Sequence, residues 1–204
     1  MNVHTIEQAL EALKKGELII VVDDIHRENE GDLVMAAQFA SSSTINTMIQ
    51  EGGGLICVPL THHDAARLDL PLMVTSMTDP LKTAFTVSVD AIETGTGISA
   101  NERATTIRAL ASPSSTPQSF KKPGHVFPLI GKEGGVLTRP GHTEAAIDLC
   151  QLAGLMPVGV ICEILNPDGT MARRGDLIPY AKTKNRVMIT IEQLIDYRKE
   201  HPYA

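Results

Sequence analysis

The spacing of apolar and polar residues changes period repeatedly along the chain, and each change marks an element. Thr5-Ile6-Glu7-Gln8 reads as a capping box, with Gln8 three residues after Thr5. Ile6, Ala9, Leu10 and Leu13 keep helical spacing and Gly16 stops the helix, so residues 1–15 read as folded helix without a signal-peptide core. The unbroken apolar run 18–22 predicts a buried strand, and 33–37 predicts a second. Residues 43–50 read as a helix ended by Gly52-Gly53-Gly54, 55–60 as a short strand and 63–68 as a short helix. Residues 83–90 alternate, which predicts a half-exposed strand with Phe85, Val87 and Val89 on one face. Ser99 and Glu102 form a second cap pair ahead of a helix reaching Ala111.

Residues 112–122, rich in Ser and Pro, predict a loop. Short strands follow at 126–130 and 136–138 around a Gly-rich turn, then a helix at 143–152 stopped by Gly154. Residues 158–165 are a strong strand, and Asn166-Pro167-Asp168-Gly169 turns the chain into 170–172. A helix at 176–183, a strand at 187–189 and a helix at 190–199, capped by Thr190 and Gln193, complete the pattern. Mixed helices and strands imply an α/β (α+β) fold with a mixed sheet packed with helices. The pieces flanking the Ser/Pro loop are too incomplete to bury separate cores, so residues 1–204 read as a single domain.

Composition narrows the function. The net charge of −6 argues against a general nucleic-acid binder, and 3 % aromatic residues with no Trp argue against stacking platforms. An odd count of three cysteines without a CxxC pair argues against a disulfide framework or a structural zinc. No segment reaches the roughly 18 apolar residues of a membrane span. The expectation is a cytoplasmic protein with neither nucleic-acid nor membrane partners.

The chemistry gathers at two stretches. Arg27-Glu28-Asn29-Glu30-Gly31-Asp32 lies just past the carboxyl end of the first buried strand, the edge at which α/β proteins bind ligands. Arg139-Pro140-Gly141-His142-Thr143-Glu144 offers an arginine, a histidine and a hydroxyl at a helix start, a candidate anion site. Glu28 and His142 are the best pair of metal ligands, of a kind suited to Mg²⁺ or Mn²⁺. A plain helix cap and a solvated charged loop are the bland alternatives. Glu163 interrupts the apolar run 160–165, where alternation puts Cys162 and Ile164 on one face and the carboxylate on the other. His125 follows Pro123-Gly124 in an expected turn and, with Glu163, is an acid–base candidate. Cys57 reads as a small buried hydrophobe, and His62 and His63 as surface residues. Gly95-Thr96-Gly97-Ile98-Ser99-Ala100 fits G-x-G-x-x-A but lacks the strand context of a dinucleotide site, although Thr96 and Ser99 could line a polar pocket.

Arg27 through Asp32, Thr96 through Ala100, Arg103-Ala104-Thr105-Thr106-Ile107, Arg139 through Ala145 and Gly159 through Glu163 together resemble 3,4-dihydroxy-2-butanone 4-phosphate synthase, in that family's order and across nearly the whole chain. The resemblance implies a lyase of riboflavin biosynthesis that converts D-ribulose 5-phosphate to 3,4-dihydroxy-2-butanone 4-phosphate and formate with Mg²⁺ or Mn²⁺. It implies a homodimer with active sites near the interface. Glu28 and His142 match the metal ligands. Arg27, Glu28, Asp32, Arg139, Pro140, Gly141, His142, Thr143 and Glu163 match substrate-binding positions. Glu163 and His125 match essential catalytic residues, and Cys57 and Thr96 match pocket positions. The family also occurs fused to a zinc cyclohydrolase, whose clustered cysteines are absent here, so the chain is expected to carry the synthase part alone.

One position departs from the family. It usually reads Asp-Asp-Glu-Asp before the arginine, whereas here the sequence is Asp23-Asp24-Ile25-His26. Two acids are lost from a loop that lies near the metal waters and closes over substrate in the family. The expectation is that the core chemistry survives, because Glu28 and Asp32 remain, while the loop's charge and metal affinity differ.

Overall fold

The computed structural model describes residues 4–201, so the first three residues of the expected N-terminal helix and the last three of the chain lie outside the description. The unbroken apolar runs become strands covered on both faces. Every residue of β1 (Ile19–Val22), β2 (Gly31–Ala36) and β3 (Cys57–Leu60) is buried. With β4 (Val89–Ala91), β5 (Phe120–Ile130), β6 (Gly159–Glu163) and β7 (Met188–Thr190) they form a seven-stranded mixed sheet, ordered β4-β5-β3-β6-β2-β1-β7. β2 runs antiparallel to both β1 and β6, whereas β3–β5 and β1–β7 are parallel pairs.

Alternation divides the strand side chains between two apolar layers. Ile20, Val22, Leu33 and Met35 face one layer, built with α2 (Ser42–Thr47), α3 (His62–Arg67), α4 (Ala100–Ala111) and α6 (Arg174–Thr183). Ile19, Val21, Val34 and Ile161 face the other, with α1 (Ile6–Lys14), α5 (His142–Leu152) and α7 (Ile191–Glu200). The capping boxes expected at Thr5/Gln8, Ser99/Glu102 and Thr190/Gln193 are all formed. Among the described residues no helix is long and apolar enough to cross a membrane.

Several boundaries differ from the sequence pattern. Of residues 83–90, only the end enters a strand, and the expected burial is reversed up to Val87: Thr86, Ser88 and Asp90 are buried while Phe85 and Val87 stay half-buried, and of the apolar set only Val89 is fully buried. The buried polar groups are paired, which makes their burial tolerable. Thr86 Oγ1 donates to the Pro128 carbonyl (3.2 Å), and Ser88 Oγ accepts the Gly124 N–H (3.1 Å). β5 begins at Phe120, so His125 sits within a strand rather than a turn. Gly124 permits this, since a Cβ there would overlap the Val89 backbone. Residues 135–137 form a 3₁₀ turn, not a strand, because Gly134 (φ 88°) and Gly135 (φ 63°) wind the chain left-handed. Asp32 belongs to β2 rather than to the preceding loop.

Leu33 is fully buried in the middle of β2, between β1 and β6. Leu33→Ala should cost about 2–5 kcal/mol, read as a lower urea midpoint with an unchanged slope.

Candidate active site

Strand register builds the site. Val21 pairs with Asp32 and Asp32 with Glu163, so the three lie in a row across β1, β2 and β6, near one end of the face that α5 covers. β6 is a central strand, and Glu163 stands on the face opposite Cys162 and Ile164, as alternation predicted. Glu163 Oε accepts the Leu55 N–H at 2.8 Å. At the same edge the chain leaves β1 through Asp23, whose buried carboxylate organises the loop that follows. It accepts the backbone N–H groups of Glu28 (3.1 Å) and Glu30 (2.9 Å) and the Arg27 guanidinium (2.8 Å). Arg173, at the start of α6, donates to the carbonyls of Glu28 (2.5 Å) and Asn29 (2.9 Å), tying the loop down from outside.

The N-terminus of α5 reaches over this edge. His142 is buried, with Nε2 3.1 Å from the Val21 carbonyl. A carbonyl can only accept, so Nε2 carries the proton and Nδ1 faces the acids, 3.5 Å from Glu28 and 3.9 Å from Asp32. Asp23, Glu28 and His142 offer ligand atoms all within 4.8 Å of one another. Two carboxylates and one imidazole are a donor set for a hard divalent cation that keeps several waters. The fit has a second sign: Asp32 Oδ1 is buried without a hydrogen-bond partner among the described residues.

These groups perturb one another strongly. Hydrogen bonding to His142, helped by Arg27, lowers Glu28 to about 2 against the opposing effect of burial. Burial raises Asp32 to about 7, with Glu163, Glu28 and Glu30 adding to the effect and His142 opposing it. Burial disfavours charge on His142, but Asp32, Glu28 and Asp23 outweigh it and raise the imidazole to about 9. Burial also raises the Cys57 thiol well above its ordinary range, so this cavity-lining residue is inert as a nucleophile.

A cavity of about 430 Å³ opens over the cluster. Its lining includes Arg27, Glu28, Asp32, Arg139, His142, Thr143, Glu163 and Cys57. Arg139 is aimed by the buried Glu144 (2.6 Å), the Thr83 hydroxyl (3.0 Å) and the Leu81 carbonyl (3.2 Å). Gly141 leaves room for both guanidiniums: a Cβ there would lie 2.6 Å from Arg139 Nη1 and 2.8 Å from Arg27 Nη2. Two guanidiniums thus converge on the start of α5, an arrangement suited to a phosphate monoester. Pro140 is exposed beside them.

His125 is not among the cavity's lining residues. It lies on β5, paired with Asp90, and Thr96 is likewise outside. Sequence reasoning missed Asp23 as a candidate ligand, Glu144 as the partner of Arg139, and the Met73–Phe85 stretch, of which Met73, Met77 and Phe85 wall the cavity. The Asp23-Asp24 doublet directly after β1 was the available signal for the first.

Fold and site together define a mixed-sheet α/β protein with a carboxylate–imidazole cluster facing two convergent arginines. Residues 7–197 match the model of the 3,4-dihydroxy-2-butanone 4-phosphate synthase family, and the chain belongs to that family. Among curated relatives, the riboflavin biosynthesis protein RibBA of Bacillus cytotoxicus is 60 % identical over 198 residues, 97 % of this chain and 50 % of the relative. RibBA of Bacillus cereus (strain B4264) is 59 % identical over the same span. The chain thus spans about half the length of these relatives. A crystal structure of 3,4-dihydroxy-2-butanone 4-phosphate synthase in complex with two magnesium ions superposes with a TM-score of 0.93 at 43 % identity, covering 97 % of this chain and 98 % of that one. The Candida albicans synthase gives 0.89 at 47 %, covering 96 % and 97 %.

The His142 shift has a consequence for the metal-free protein. An imidazole raised from 6.5 to about 9 contributes stability that is complete below pH 6.5 and is lost as pH rises through 9. Its ceiling is roughly 3 kcal/mol. Thermal unfolding in EDTA should therefore show wild type losing, between pH 6.5 and 9, an advantage over His142→Gln that it holds in acid.

Proposed function

We propose that this chain, as one synthase domain, converts D-ribulose 5-phosphate to 3,4-dihydroxy-2-butanone 4-phosphate and formate, a step of riboflavin biosynthesis. The observation that carries the reading is the meeting, in one cavity, of the Glu28–His142 cluster, the Glu163 carboxylate and two arginines at the start of α5. In this reading Arg27, Arg139 and the amides of His142 and Thr143, in the first turn of α5, hold the phosphate, while the Gly141 N–H is spent on the Arg139 carbonyl (2.8 Å). Asp32 lies beside the sugar hydroxyls. Glu28 and His142, with Asp23, hold Mg²⁺ or Mn²⁺, and the ion supplies Lewis-acid polarisation of substrate oxygens.

The chemistry asks the protein chiefly for proton transfers. A base takes the proton from C3 of the ketose to give an enediol. Water leaves from C1, the skeleton rearranges, and a water adds back at C4, which departs as formate, so one substrate yields the two products with no net reactant consumed. Glu163, which lines the cavity and accepts the Leu55 N–H, is suited to one transfer. His125 is assigned another. Because it lies outside the cavity of its own chain, the assignment supports a homodimer in which His125 serves the partner's cavity. A cytoplasmic location accords with this reading, because a phosphorylated sugar is too polar to cross a membrane unaided.

Two experiments test the proposal. Formate release from D-ribulose 5-phosphate should require Mg²⁺ or Mn²⁺, vanish with EDTA and be absent in folded His142→Ala. Folded wild-type protein that yields no formate with any divalent ion rejects the reading. Shared sites predict complementation: His125→Ala and Glu163→Gln, each inactive alone, should recover about a quarter of wild-type turnover when unfolded and refolded together. A mixture as inactive as its parts would place each site within one chain.

A further inference from the structure

The G-x-G-x-x-A stretch and the buried Asp90 have no part in the cavity, yet they meet at His125. Asp90 lies in β4 at 3 % exposure, with His125 half exposed beside it on β5. One carboxylate oxygen accepts the His125 backbone N–H at 2.8 Å, and the other lies 2.8 Å from His125 Nδ1. Gly97 (φ 82°) closes over the pair, because a Cβ there would overlap the Asp90 carboxylate. Nearby charges are occupied elsewhere. Lys121, the register partner of Asp90, donates to the carbonyls of Thr94 (2.5 Å) and Gly95 (2.8 Å). Glu102 of the adjoining α4 accepts from the Gly95 N–H (2.7 Å) and the Ser99 hydroxyl (2.9 Å).

An ionised carboxylate can only accept, so a neutral His125 beside it carries its proton on Nδ1. We infer that Asp90 is a positioning residue that locks His125 as the Nδ1–H tautomer, leaving Nε2 bare on the exposed side of the ring as a base for the proposed reaction. The inference rests on the catalytic role assigned to His125 above. It also accounts for the second glycine of the unused motif, which makes room for the carboxylate.

Asp90→Asn separates positioning from mere support. The amide keeps the size and the acceptor for the His125 N–H, but its NH₂ donates toward Nδ1 and favours the Nε2–H form. In protein labelled with ¹⁵N-histidine, long-range ¹⁵N–¹H spectra should report Nδ1–H for His125 in the wild type and Nε2–H in the variant. Turnover should fall about 10²–10⁴-fold with KM changed less than about twofold, and Asp90→Glu should recover part of the loss. Nε2–H in the wild type, an unchanged tautomer in Asp90→Asn, or near-normal turnover in Asp90→Asn beside an inactive His125→Gln would each overturn the inference. Normal turnover in His125→Gln would instead remove the role assigned to His125, and the wild-type tautomer needs no variant to fold.

Discussion

The arrangement depends on crowding acids around one buried imidazole. Asp23, Glu28 and Asp32 are gathered at one end of a sheet where water is scarce, and such a cluster is unfavourable unless positive charge joins it. His142 supplies part of that charge, and its Nε2 is spent on the Val21 carbonyl, so that Nδ1 must face the acids. The perturbed values of about 2, 7 and 9 for Glu28, Asp32 and His142 are three expressions of one imbalance. A divalent cation would resolve it by displacing the imidazole's extra proton and pairing with carboxylates already assembled.

Rigidity of the surrounding sheet is what makes this tension usable. Glu163, Asp32 and Val21 are fixed relative to one another by backbone register, not by loop conformation. Arg139 is aimed by a carboxylate that is itself buried. The turn preceding it is tied by the Val136 N–H to Asp148 of α5 (3.0 Å), which also pairs with Arg198 of α7 (2.5 Å). Apolar packing of α5 and α7 thereby reaches the arginine through a chain of buried polar contacts.

Much of this was legible in the sequence. Helix boundaries were read closely where a capping box fixed them, at Thr5, Ser99 and Thr190, because the signal is local. The inner strands were read from unbroken apolar runs, and the two faces of β6 from alternation. Residues 83–90 misled, because alternation shows which residues share a face but not which face is buried. There the polar set is inside, satisfied by β5 and by His125, partners distant in sequence. The pairing of Glu144 with Arg139 and of Asp90 with His125 was hidden for related reasons: a carboxylate's partner depends on tertiary placement. Glu28, Asp32, His142 and Glu163, which line one cavity, were singled out because each is a polar group at a strand end, at a helix start or inside an apolar run.

The Ile25-His26 departure can be placed physically. Both residues are exposed at the tip of the loop, with Ile25 69 % exposed, and the His26 N–H is held by Asp24 Oδ1 at 2.7 Å. The groups that face the cluster, Asp23 and Glu28, point the other way and are fixed by Asp23's bonds to the loop backbone and by Arg173. The substitution therefore alters the outer surface of the loop and leaves the candidate ligand set intact. Its electrostatic effect on the cluster acts through solvent, where screening is strong, whereas the ligands meet at the buried edge of β1 and β2. An exposed isoleucine also changes what the loop tip can rest against. Any effect of these two residues should therefore appear at the loop's outer surface before it appears in the affinity of the candidate ligands for an ion.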